Sequence, residues 1–182
     1  MGGGILGAGL FLLDAAIGLV CLVLLLRFYM QAFRVSFANP VGAFVVQFTN
    51  VAVKPLRRVL PGFLGLDLAS LLPAWLLQVL LVVLTLALRG GLETLPAPQL
   101  LGIALWQGAL GTLRLSVHLL IGALIVQAVL SWVNPHAPLA RPVAELTRPF
   151  LQPIRRVVPP VANIDLSPLI AILLAQAVLI FL

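Results

Sequence analysis

Two pairs of adjacent arginines are the residues in this chain best suited to specific chemistry. Pro55-Leu56-Arg57-Arg58-Val59-Leu60-Pro61 recurs as Pro153-Ile154-Arg155-Arg156-Val157-Val158-Pro159, displaced by 98 residues. Neighbouring guanidinium forks between two prolines can offer paired N–H donors to a phosphate or a carboxylate. The simpler reading is orientation and lipid attraction, at about 1 kcal/mol per basic residue near an anionic surface. Orientation alone does not require the same frame twice. Arg57, Arg58, Arg155 and Arg156 are therefore candidate lipid- or partner-binding residues.

The same displacement pairs Asp67 with Asp165, Thr49 with Thr147 and Gln78 with Gln176. Each aspartate opens an apolar run. There a carboxylate caps free N–H groups, suits the helix dipole and can pair with the nearby arginines. Asp67 and Asp165 are thus expected to be caps or ion-pair partners. The glutamines fall at equivalent depths inside apolar runs. Intramembrane glutamines hydrogen-bond between helices, so Gln78 and Gln176 are expected to meet where the two copies touch. Arg27 is too far from Asp14 to pair with it and is expected to snorkel to the interface. His118 and His136 lie at different depths and make a poor ligand pair. Cys21 is the single cysteine, so no intrachain disulfide forms and no Cys/His metal spacing exists. No nucleophile triad, HExxH, P-loop or dinucleotide fingerprint is present. No enzyme, cofactor or metal is expected.

Composition says what must position these residues. The chain is 62% hydrophobic and 9% charged, with a mean hydropathy of +1.19. Ordinary soluble domains carry about 25% charged residues. An integral membrane protein is the class that fits. The net charge of +6 comes almost wholly from arginine. Those arginines sit between apolar stretches, the pattern of a membrane protein oriented by basic loops and not of a nucleic-acid binder.

The expected architecture is all-α, with about four transmembrane helices in two parallel internal repeats. The first repeat covers 1–89: a span over about 10–33, an interfacial loop over 34–66, and a span over about 67–88. Residues 1–13 are glycine-rich without Lys or Arg, so the first span is read as uncleaved. Residues 90–99 form a linker. The second repeat covers 100–182: a span over about 113–133, an interfacial loop over 134–164, and a short span over about 165–182. The stretch 100–112 is open between an interfacial or re-entrant helix, a separate span, and the start of one long helix. Asn39-Pro40 is a helix start, with Asn capping and Pro at the first position. Residues 39–60 then read as one or two amphipathic helices lying at the interface.

Both interfacial loops are basic. They carry Arg34, Lys54, Arg57, Arg58, Arg141, Arg148, Arg155 and Arg156 against Glu145. The positive-inside rule places both loops in the cytoplasm and both termini outside.

These residues carry a resemblance. Arg34 to Leu72 and Ser131 to Ile170 resemble the two copies of the YggT repeat. The pattern runs through an aromatic-x-Asn-Pro, a Thr-x-Pro-like turn, the Pro-x-Arg-Arg-x-x-Pro frame and Asp-x-Ser-Pro. The second copy fits closely with Thr147-Arg148-Pro149 and Asp165-Leu166-Ser167-Pro168. The first departs at Thr49-Asn50-Val51 and Asp67-Leu68-Ala69-Ser70. The resemblance implies a small multi-pass protein of the bacterial inner membrane that supports tolerance of osmotic shock, through ion or solute uptake or its regulation. The alternative it implies is a non-enzymatic assembly or scaffold factor whose arginine loops dock a partner or anionic headgroups. A membrane-protein partner or a second copy of the chain are the other candidate partners. No catalytic residues carry over.

Overall fold

A computed structural model describes residues 2–60, 66–91, 96–158 and 165–182. Among these the chain forms six helices and no strand: α1 (Gly2–Ala32), α2 (Pro40–Val59), α3 (Leu68–Leu88), α4 (Ala97–Val133), α5 (Ala140–Val157) and α6 (Ser167–Phe181). Three of them, over Gly4–Ala32, Leu68–Leu88 and Ala97–Val133, are long and apolar enough to cross a membrane, and Ser167–Phe181 is a shorter apolar helix.

α1 starts well before the expected boundary near residue 10. Its early glycines are poor helix formers in water. In lipid, however, every backbone N–H needs an internal partner, which favours continuing the helix. α4 is one continuous helix of 37 residues, about 55 Å long, so 100–112 and 113–133 are a single element. Of the expected linker 90–99, residues 92–95 lie outside the described residues. So do Pro61 and Pro159, which close the two arginine frames.

The two stretches expected at the interface fold as amphipathic helices, each with its arginine pair in the last turn. They start differently. Asn39 caps α2, its Oδ1 accepting from the Gly42 N–H at 2.9 Å, with Pro40 at the first position. Asn134 instead ends α4, and its Oδ1 accepts from His136 N at 3.3 Å. α5 then begins at Ala140, without a side-chain cap. The three residues by which the second copy is longer fall in this connection. Pro55, Pro149 and Pro153 lie inside these helices rather than bracketing a loop. Each costs its helix one backbone bond.

Two long helices end in the same cap geometry with different residues. Gly90 adopts φ 72° at the end of α3, and Gly91 N donates back to Leu86 O at 2.8 Å. Arg34 adopts φ 56° at the end of α1, and Val35 N donates back to Met30 O at 2.8 Å. Glycine takes this left-handed position freely. A residue with a Cβ is less favourable there by roughly 1–2 kcal/mol.

α1, α2 and α3 pack on one another, and so do α4, α5 and α6. The two trios meet through α3 against α4 and α1 against α4. The first core joins Cys21, Leu24, Leu25, Val53, Ala69 and Ala74. α4 approaches α3 closely through small buried residues, Ala104, Gly108 and Thr112, each four apart. A Cβ on Gly108 would stand 2.5 Å from Val79 Cγ2 and 3.0 Å from its backbone nitrogen. Small residues at such spacing let helix backbones approach in membranes.

Candidate functional site

Each arginine pair divides between two jobs. In the first, Arg57 turns back onto Asp67. Its Nη2 donates to Oδ2 at 2.6 Å and its Nε to Oδ1 at 3.3 Å. The same Nη2 reaches Gln31 Oε1 at 2.8 Å, tying α2 to α1. In the second, Arg155 Nε donates to Asp165 Oδ2 at 2.9 Å, and Nη2 lies 2.7 Å from the same oxygen. Arg58 and Arg156 are exposed, and no hydrogen bond or ion pair holds either one among the described residues. In each pair, then, one guanidinium braces the helix and the next stays open.

The two aspartates differ in depth. Asp67 is 2% exposed and Arg27 4%. Arg27 does not snorkel. It runs inward between α2 and α3. Its Nη1 donates to Thr49 Oγ1 at 2.6 Å and to Asn50 Oδ1 at 3.1 Å, and its Nε lies 3.9 Å from Asp67 Oδ2. Ser70 Oγ adds a bond to Asp67 at 2.7 Å. Thr49 in turn donates to Val45 O. Arg27, Arg57 and Asp67 thus make a mostly buried cluster with one net positive charge. Burial there opposes ionisation of Asp67. The hydrogen bonds from Arg57 and Ser70 and the two guanidinium charges outweigh it, so the carboxyl lies below its usual range.

Asp67 stands at the N-cap of α3, but its carboxylate makes no cap bond; only its backbone carbonyl accepts, from Ser70 N and Leu71 N. The arginines have taken its oxygens. Asp165 does both jobs. Its Oδ1 accepts from Ser167 N at 2.9 Å while Oδ2 holds Arg155. Its side chain is 37% exposed. Burial again raises its pKa, and the Ser167 and Arg155 bonds lower it further than burial lifts it. It has no second guanidinium. Thr147, the counterpart of Thr49, meets Gln127 of α4 instead.

The two glutamines do not meet. Gln78 is buried where α1, α3 and α4 come together, donating to Cys21 Sγ at 3.6 Å and facing Gly111. Gln176 is exposed on α6. α6 packs on α4 and α5, so equal depth in the chain does not bring the two together. His118 is exposed and bonds the Arg114 carbonyl at 2.8 Å. Thr85, Thr112 and Ser116 spend their hydroxyls on carbonyls of their own helices. Among the described residues no three of His, Cys, Asp and Glu gather.

On α5 the outward face forms a shallow basic depression of about 490 Å³, lined by Arg141, Glu145, Arg148, Gln152, Arg155 and Arg156. Arg141 pairs with Glu145 at 3.0 Å, and Arg155 is held by Asp165. Arg148 and Arg156 are left with no partner among the described residues.

Sequence reading missed Arg27. The available signal was its depth: an ionisable residue inside a span is partnered far more often than idle. Long apolar helices, with the family to which the sequence belongs, define an α-helical membrane protein. The chain belongs to the CCB3/YggT family, whose model matches residues 6–88 and 106–182. It is 36% identical to an uncharacterized protein YggT of Escherichia coli K12 over 92% of this chain and 85% of that one. An uncharacterized protein of Vibrio alginolyticus is 36% identical over 88% of this chain and 85% of its own length. One of Pseudomonas aeruginosa is 35% identical over 91% and 83%. No solved structure matches the chain.

Proposed function

We propose that this protein is a non-enzymatic, multi-pass component of the bacterial inner membrane whose basic interfacial helices form a cytoplasmic platform for anionic groups. In this reading it has four spans in two parallel repeats, with α2 and α5 inside and the termini outside. The observation that carries it is the split within each arginine pair. Arg57 and Arg155 are spent on aspartates, and Arg58 and Arg156 are held out in solvent. Positive-inside orientation needs charge but not a braced frame. A frame that fixes one guanidinium beside an open one is suited to bidentate contact with a carboxylate or phosphate.

The platform serves osmotic-stress tolerance by regulating uptake rather than by conducting a solute through a single chain. A conduit needs polar groups converging at mid-membrane. Here Gln78 is engaged with Cys21, the span hydroxyls bond their own helices, and Gln176 stands apart.

Cells lacking the protein test this after a hyperosmotic shift, with survival and potassium uptake as readouts. A defect restored by wild type, but not by a form with Arg57, Arg58, Arg155 and Arg156 all changed to Lys, is the expected result. Normal uptake and survival without the protein would remove the osmotic role. Full rescue by the lysine form would reduce the arginines to orientation.

A further inference from the structure

Under the apolar face of α5, α1 and α4 do not close on each other. A crevice of about 430 Å³ runs between them, lined by Leu22, Leu26 and Met30 of α1, Gly122 and Ala123 of α4, and Leu146 of α5. A second cavity of about 180 Å³ shares Ala123 and Leu146 with it and continues toward Tyr29 and Phe33. The main crevice is within the roughly 300–1,000 Å³ range of small-molecule sites. Its wall is almost wholly apolar. Leu22, Leu26 and Met30 lie on one face at four-residue spacing and cover about 12 Å of helix axis, close to the ~15 Å hydrocarbon depth of one leaflet.

We infer that this crevice holds one acyl chain of an anionic phospholipid from the leaflet on the α2/α5 side. Three observations converge on a lipid. Two sides of the wall belong to α1 and α4, helices long and apolar enough to cross a membrane, where the surrounding solvent is acyl chain. The depth matches one leaflet. At the interfacial end Val35 and Pro142 line the wall, and Arg34, next to Val35 in the chain, is exposed. Arg34 occupies the left-handed position that glycine fills at the end of α3. An arginine where glycine is easier is explained by a charge needed there, and a headgroup phosphate supplies the partner.

A sequence difference between the halves fits the same picture. At the displacement that aligns Ser36 with Ser131, the position matching Arg27 is Gly122. Where the first half carries a buried, bonded arginine, the second carries an exposed glycine on the crevice wall, and a Cβ there meets nothing within 4 Å. This inference concerns a lipid in the bilayer. It stands or falls separately from the platform on the outer face of α5.

The test is native mass spectrometry of the full chain purified in mild detergent. The protein is first passed through mixed phosphatidylethanolamine–phosphatidylglycerol vesicles. Wild type is expected to retain one phospholipid, enriched in phosphatidylglycerol over the vesicle composition. Gly122→Leu fills the crevice and should lose that lipid. Arg34→Gly removes the charge while easing the backbone; it should keep one lipid but lose the enrichment, with a thermal midpoint no lower than wild type. Wild type without bound lipid, or Gly122→Leu retaining it at the wild-type level, would overturn the site. Unchanged enrichment in Arg34→Gly would overturn the headgroup assignment even if Gly122→Leu did not fold.

Discussion

Asp67 stands between two guanidiniums and a serine hydroxyl, in a setting almost closed to solvent. Its loss leaves Arg27 buried without a counter-charge. Breaking a buried pair from one side costs about 3–5 kcal/mol. Asp67→Asn should therefore lower the thermal midpoint of the purified protein far more than Asp165→Asn. The latter removes a half-exposed pair worth about 1 kcal/mol or less, and the asparagine oxygen can still accept from Ser167 N. Equal shifts in the two variants would contradict the difference in depth. pH should act through the same groups. Both carboxyls are lowered in the folded state. Their contribution is therefore complete above the unfolded carboxylate pKa, near ~3.9, and is lost as pH falls through the lower folded values. An acid titration of the thermal midpoint should show this loss in wild type and a shallower one in Asp67→Asn. The aspartates and the arginine pairs were legible in the sequence because they recur. Arg27 was not, because it occurs once and lies in a run that looks uniformly apolar. Only the folded geometry brings Thr49 and Asn50 to it.

The close approach of α3 and α4 depends on small residues. Gly108 lies against Val79, whereas Gly122 faces open space. Gly108→Val should force α3 and α4 apart and cost about 1–3 kcal/mol as overpacking. Gly122→Ala should be neutral or slightly stabilising, since alanine is the better helix former. Thermal unfolding of the two variants side by side checks this, and a tolerated Gly108→Val would mean the helices do not depend on that approach. Gly111 is a softer case, because its neighbour is the end of the Gln78 side chain. Helix types were readable from hydropathy and amphipathic spacing; several boundaries were not. The stretch 100–133 carries glycines that suggest a break in water, yet in lipid the unpaired backbone of a break is costly. α2 and α5 were expected from like motifs, but the longer connection after Asn134 moved the start of α5 and freed the asparagine from capping.

At the scale of the whole molecule, two trios of helices meet along α4, with both basic helices near the ends of long apolar ones. The recurring frames and the charge balance of the loops led to two parallel halves with one orientation. If the loops share a side, reporters fused after Gly62 and after Pro160 should both read cytoplasmic. A periplasmic reading at either position would end the four-span arrangement. The contact between halves was not predictable from matching positions. Gln78 and Gln176 correspond along the chain, but α3 touches α4 while α6 lies beyond it, and no sequence correspondence encodes that order.

The division of labour within each arginine pair is tested most directly by separating its members. Cells lacking the protein are given Arg58→Gln/Arg156→Gln or Arg57→Gln/Arg155→Gln, and rescue after hyperosmotic shift is measured per unit of protein in the membrane. The expected result is a normal amount of the first variant with rescue lost. The second should be present at a reduced amount, with rescue per molecule near wild type. Full rescue by Arg58→Gln/Arg156→Gln would contradict the claim that the open arginines are the working ones.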